Sequence, residues 1–228
     1  MATGGGTALV SKGLLGALET VTPLYWQGVI LTLQLTAVSI VCGLAIGLVI
    51  ALCKLSRWAA LRGLGSLYTW IFRGTPLLVQ IYIVFFGLAQ FGIDLDEFPA
   101  GVLALSMNAG AYLAEIIRAA IESIPPGQME AARSLGMSYG QAMRRVILPQ
   151  AYRRMTPPMI NEFVALLKDS SLVSVTGLVE LMHRSRQLAA ATLQPFWFFG
   201  YAAFWYLMMT TLFTLLGSAL ERRLKQYE

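Results

Sequence analysis

The stretch "EAARSLGMSYGQAMRRVILP", residues 130–149, decides how the rest of the chain is read. It is polar, it carries Arg144 and Arg145 side by side, and it interrupts a chain made mostly of long apolar runs. Such a segment does not sit in hydrocarbon, where charged side chains are costly. It is also patterned. Pro125 and Pro126 halt the preceding apolar run, and a first short helix is predicted over Gly127–Leu135, with Glu130 in its first turn near the positive helix end. Gly136 is a left-handed stop. Ser138 followed by Gln141 is a capping box that opens a second helix to about Leu148, limited by Pro149. In that helix Met143, Val146 and Ile147 share one face, and Arg144 and Arg145 lie off it. Ala131 and Ala132 let another surface approach closely. One reading is a loop that only tidies a membrane surface. The regular capping and stop signals point instead to a docking surface for a partner outside the membrane.

Outward from this insert, the chain reads as an integral membrane protein. Of its 228 residues, 57% are hydrophobic and 13% charged, against roughly a quarter charged in a soluble domain. A spanning helix needs about 20 mainly apolar residues, and five candidates appear: Gly28–Cys53, Leu67–Phe91, Pro99–Ile121, Met155–Val179 and Pro195–Leu220. Basic residues set the orientation. Eleven fall on the side of the insert (Lys54, Arg57 and Arg62, the five from Arg133 to Arg154, and Arg222, Arg223 and Lys225), three on the other side, and three inside spans. The expected fold is all-α, with about five transmembrane helices, the N-terminus outside, the C-terminus cytoplasmic and the insert between spans three and four. Residues 1–24 form a tail with a surface helix over Ala8–Leu24 that turns Lys12 and Glu19 to water. Residues 25–222 form the membrane domain with its loop at 123–149, and residues 223–228 form a cytoplasmic tail. The net charge of +5 is a topology signal, so no nucleic-acid partner is expected. Cys42 and Cys53 stand eleven residues apart on one helix, about 16 Å, too far for a disulfide. They are expected to be small buried apolar side chains. Gly43 and Gly47 form a small-residue pair suited to close helix packing.

The insert resembles the EAA loop of permease subunits of ABC importers: Glu130-Ala131-Ala132, then Gly136, then Ile147-Leu148-Pro149. Three further stretches, "FRGTPLLVQ" (Phe72–Gln80), "AYLAEIIRAAIESIPPGQMEAARSLG" (Ala111–Gly136) and "LLKDSSLVSV" (Leu166–Val175), are similar to the polar amino acid branch of that family. The resemblance covers about residues 20–222. It implies that Glu130–Gly136 and its flanks couple to a cytoplasmic ATPase subunit, which would bind the ATP and magnesium. It implies a second permease subunit around the path, an external solute-binding protein that delivers an amino acid, and a bacterial inner (plasma) membrane location. The chain has no G-x-x-x-x-G-K and carries no cofactor of its own.

Ionisable residues inside spans usually line an interior or a water-filled path. Arg73 reads either as a snorkelling cation or as a donor to a substrate carboxylate. Thr75 follows it, and Pro76 leaves a carbonyl unpartnered one turn back. Gln80 lies one turn deeper. Asn108, Tyr112 and Glu115 share a face of the third span, where Glu115 pairs with Arg118 or meets substrate. In the fourth span Glu162 and Asp169 share a face, with Ser170 and Ser171 extending the polar patch. An amino acid needs an acceptor for its ammonium, supplied by Asp169 or Glu162, and donors for its carboxylate, supplied by Arg73, Thr75 or Ser171. Two carboxylates on one face favour a cationic or neutral substrate side chain. His183, the only histidine, is expected to be solvated, and no metal site is expected. The competing class is a self-contained secondary transporter of a small polar solute, which commonly shows repeated halves. An enzyme is not expected, since neither H-E-x-x-H nor G-x-S-x-G occurs.

Overall fold

The computed structural model describes residues 14–225, and among them no strand occurs. The first helix, α1 (Leu14–Leu55), packs along α4 (Glu97–Glu122). Small residues set the contact, as the Gly43/Gly47 pair suggests. A Cβ on Gly43 would sit 3.2 Å from Ala109 Cβ, and one on Gly47 would sit 2.8 Å from Leu113 Cβ and 3.0 Å from the Gly110 carbonyl. Only glycine lets the two backbones approach this closely. The same residue numbers rise together on both helices, so α1 and α4 run parallel. Leu35, Ala100, Ala104, Leu105, Ala109 and Leu113 lie in one buried core with Leu166 and Val173.

The sequence places a separate surface helix over Ala8–Leu24, and the structure corrects this. Leu14–Leu24 is the opening of α1 itself, which continues through Pro23. Residues 8–13, Lys12 among them, lie outside the described residues. Packing overrides the proline: Tyr25 is fully buried, and its hydroxyl donates to the Phe198 carbonyl at 2.9 Å. The cysteines are corrected too. Both are free, but Cys42 is exposed on the surface of the chain and Cys53 is half-buried. An apolar helix face turned to lipid and one turned to a core read alike in sequence.

The expected second span, Leu67–Phe91, is broken. Helix α2 (Ala59–Gly74) ends at Thr75, and α3 (Leu77–Tyr82) leads into a wider π-type turn at Ile83–Gly87. The chain bends by 102° between the two arms. Pro76 has no N–H to give to the Phe72 carbonyl, and it pushes Thr75 to extended dihedrals (φ −113°, ψ 145°).

After α4 the capping box and the left-handed glycine of the insert form as expected, but the first insert helix starts at Pro126, which puts Glu130 beyond its first turn. Helix α5 (Pro126–Ser134) stops before Gly136, whose φ is +84°. Ser138 and Gln141 form the reciprocal capping box at the head of α6 (Tyr139–Ala142). Pro149, however, does not end this helix. A π-type turn at Met143–Ile147 runs directly into α7 (Leu148–Asp169), so the chain is helical from Tyr139 to Asp169. The wider turn seats Pro149 in the first turn of the resumed α register, where a missing N–H costs nothing. A tight 3₁₀ turn (Ser170–Thr176) follows, Gly177 closes it at φ +101°, and α8 (Leu181–Thr192) and α9 (Pro195–Lys225) complete the fold.

Among the described residues, three helices are long and apolar enough to cross a membrane: α1 from Thr22, α4 and α9. The bent α2–α3 pair makes a fourth if it counts as one span. The expected fourth stretch, Met155–Val179, is α-helical only to Asp169 and then tightens to 3₁₀, and Glu162, Lys168 and Asp169 dilute its apolar length. The bundle has two distinct ends. One carries Lys54 and the insert. The other carries α8, whose first residue packs on Gly28 of α1.

Candidate functional site

The insert is pinned to the bundle by its apolar face. Ile147 and Ala151 pack with Ala120 and Ile124, and Met129, Met143 and Val146 close around them. Arg154 donates to the Ser123 carbonyl at 2.5 Å, tying α7 back to the end of α4. Of the loop residues marked by sequence, Ala132 and Ile147 are buried and anchor the insert, so Ala132 faces its own chain rather than an incoming surface. Glu130, Ala131, Gly136, Leu148 and Pro149 are exposed, as are Arg144 and Arg145. Leu135 is 79% exposed and Tyr139 53%. Both are large apolar side chains left bare on the polar, basic end of the molecule.

At mid-chain the break before Pro76 organises the polar side chains. The orphaned Phe72 carbonyl accepts from Gln80 Nε2 at 2.9 Å and from Asn108 Nδ2 at 3.0 Å. Gln80 also donates to the Thr75 carbonyl and hydroxyl, and its own carbonyl accepts from Asn108. Both amides are buried. They repair the broken helix, as buried polar groups must, and so hold the Arg73–Thr75 corner in place. The Thr75 hydroxyl donates to the Ile71 carbonyl. Ser170 faces the core, donating to the Leu167 carbonyl, while Ser171 is half-buried.

Glu115 is the hub of an ion cluster. Arg118 reaches its Oε2 with both Nε (2.9 Å) and a terminal nitrogen (2.7 Å), and a second terminal nitrogen of Arg118 holds Glu122. Lys54, which the sequence counts as a loop cation, turns inward and pairs with Glu115 Oε1. Arg73 stays 3.9 Å from that same oxygen, with its guanidinium 5.1 Å above the Tyr112 ring. Its side chain is 44% exposed. Glu162 is half-buried and lies within electrostatic reach of both Arg73 and Asp169, and Asp169 is exposed with Lys168 beside it. The structure thus gathers Arg73, Tyr112, Glu162 and Asp169 into one charged neighbourhood, and it gives Glu115 to internal cations.

Sequence reasoning missed Glu180. It is fully buried at the head of α8, where its carboxylate accepts from the backbone N–H of Met182 (2.9 Å) and His183 (2.7 Å). It also accepts from the Tyr206 hydroxyl (3.1 Å) and the Thr32 hydroxyl (3.4 Å). One carboxylate therefore joins α1, α8 and α9. An acidic residue at a helix start was the available signal. His183 is corrected as well: it is half-buried, with Nδ1 3.1 Å from the Ser174 carbonyl, rather than solvated. Among the described residues no group of three metal-ligating side chains forms.

Residues 43–226 match the family of binding-protein-dependent transport system inner membrane components. The arginine transport system permease protein ArtQ of Bacillus subtilis (strain 168) is 42% identical over 207 residues, covering 89% of this chain and 93% of that protein. The L-cystine transport system permease protein TcyB of the same organism is 41% identical over 206 residues, covering 90% and 88%. A chain from the crystal structure of an amino acid ABC transporter with histidines superposes with a TM-score of 0.88 at 43% identity, covering 93% of this chain and 99% of that one. The inward-facing MetNI methionine ABC transporter shares the fold, with a TM-score of 0.75 at 23% identity. This chain belongs to the binding-protein-dependent inner membrane component family, as an ABC transporter permease. It is a membrane-embedded transport subunit and not an enzyme.

Proposed function

We propose that the chain is the transmembrane subunit of an ATP-driven amino acid importer in a bacterial inner membrane. It crosses the bilayer five times, with α7 as the polar span, the N-terminus outside and the C-terminus in the cytoplasm. It pairs with a second permease subunit around the path, receives its amino acid from an external binding protein, and couples through Glu130–Pro149 to a cytoplasmic ATPase that binds ATP and magnesium. The observation that carries this reading is the insert: a pinned helical unit that bares Leu135, Tyr139 and Glu130 at the basic end of the bundle.

The path site is Arg73 with Tyr112 on one side and Glu162 with Asp169 on the other. Arg73 takes the substrate carboxylate as a planar fork of donors. The two carboxylates take the ammonium and favour a cationic or neutral side chain, which agrees with the arginine and cystine named for the relatives. The test is Glu130→Arg in the reconstituted complex. ATPase capture and substrate-stimulated hydrolysis are expected to be lost while the chain still inserts. Hydrolysis at the wild-type rate would refute the coupling assignment.

A further inference from the structure

We infer that Lys54 is a positioning residue for substrate: by occupying Glu115 Oε1 it keeps the Arg73 guanidinium free for a carboxylate. The inference rests on the reading of Arg73 as the carboxylate donor. Glu115 offers two oxygens, and Arg118 takes Oε2 with two nitrogens. The remaining oxygen, Oε1, has two claimants. Lys54 Nζ is in direct contact with it, and Arg73 stands off at 3.9 Å, beyond hydrogen-bond range. Because Lys54 is there, Arg73 rests on the Tyr112 face by a cation–π contact, its side chain still 44% exposed.

Three features show that Lys54 is aimed inward. It sits in the last turn of α1, one residue before the helix ends and the connection to α2 begins, where its side chain could reach outward, yet that side chain is only 12% exposed. The Thr69 hydroxyl accepts from its Nζ at 2.9 Å. Gly65 leaves room for its stem: a Cβ there would lie 2.6 Å from Lys54 Cγ. Without Lys54, Oε1 would carry an unpaired share of a carboxylate charge 3.9 Å from the Arg73 guanidinium. Arg73 would close the gap into a contact ion pair and leave the path.

The test uses the detergent-purified permease–ATPase complex, with equilibrium binding of radiolabelled L-arginine and L-glutamine and uptake in proteoliposomes with the binding protein. Lys54→Met is expected to weaken amino acid binding about fivefold, with the maximal uptake rate retained. Adding Glu115→Gln to Lys54→Met removes the anion that captures Arg73, so affinity is expected to return. Lys54→Arg is expected to behave as the wild type. Thr69→Val, which only loosens Lys54, is expected to shift affinity in the same direction by about twofold, and it serves if Lys54→Met does not assemble. Unchanged affinity in Lys54→Met, or in Thr69→Val where only that variant assembles, would overturn the inference. So would a loss that persists in Lys54→Met/Glu115→Gln. Arg73→Gln separates the two levels: unaltered binding in that variant would overturn the substrate reading itself, whereas its loss beside a neutral Lys54→Met would overturn the role of Lys54 alone.

Discussion

Replacing Glu180 by alanine is expected to destabilise the permease by about 3 kcal/mol or more. The carboxylate accepts four hydrogen bonds from three helices in a fully buried site. Two are the backbone N–H groups that open α8, and losing such a cap costs about 1 kcal/mol. The other two are the hydroxyls of Thr32 and Tyr206, and a buried donor left without its partner costs about 1–3 kcal/mol. Tyr206 loses the carboxylate oxygen that its hydroxyl donates to. Thr32 is buffered, because its oxygen also accepts from the Leu181 N–H at 3.3 Å. For a chain of this size each kcal/mol moves the melting temperature by about 2–4 °C, so a drop of roughly 6–12 °C is expected in thermal unfolding of the purified complex. Glu180→Gln keeps an acceptor for the helix cap, and the Tyr206 hydroxyl can rotate to accept from the new amide. It is expected to lose less than half as much. A melting temperature in Glu180→Ala equal to wild type would refute the network. Equal losses in the two variants would show that charge, and not acceptor geometry, holds the junction.

Other outcomes are expected elsewhere. Asp169→Asn should slow uptake without disturbing assembly with the ATPase, and unchanged uptake kinetics would make Asp169 structural. Gly110→Val should cost about 1–3 kcal/mol by overpacking, because a Cβ at Gly110 already lies 2.8 Å from Ile46 Cγ2; melting of the purified complex measures it. Ser138→Ala removes the acceptor for the Gln141 N–H, costs about 1 kcal/mol locally, and should speed amide exchange in α6 while leaving exchange in α4 as it was.

The insert was legible in sequence because its signals are local. A capping box, a left-handed glycine and a proline pair each act within a turn, and each appears where its residues stand. The Gly43/Gly47 contact was legible because small residues have few other reasons to recur one turn apart. What escaped depends on partners distant in sequence. Glu180 looks like a loop residue until Thr32 and Tyr206 are brought to it, and Lys54 looks like a loop cation until Glu115 claims it. Pro76 and Pro149 show the limit from the other direction. Both remove a backbone donor, yet the first breaks its helix because Gln80 and Asn108 stand ready to satisfy the freed carbonyl. The second is carried through because a widened turn precedes it. Sequence alone did not separate these two fates. Gln80 and Asn108 read as path-lining for the same reason: a buried amide looks alike whether it waits for a solute or mends a backbone.

The unbroken run from Tyr139 to Asp169 has a mechanical meaning. It is a shaft about 45 Å long, seated at one end in the surface proposed to meet the motor subunit and bearing at the other the carboxylate proposed to meet cargo. A tilt of about 5° at the seat would sweep the far tip through ~4 Å over that length, enough to make or break a direct contact. Past the widened turn and Pro149, the shaft thins once more. Pro157 and Pro158 withhold two adjacent rungs of the hydrogen-bond ladder, about 18 Å short of Asp169. Stiffening that joint with Pro157→Ala and Pro158→Ala is expected to alter the proposed coupling between the two ends, read as a changed ratio of ATP hydrolysed to amino acid taken up, while the residues at both ends stay as they are.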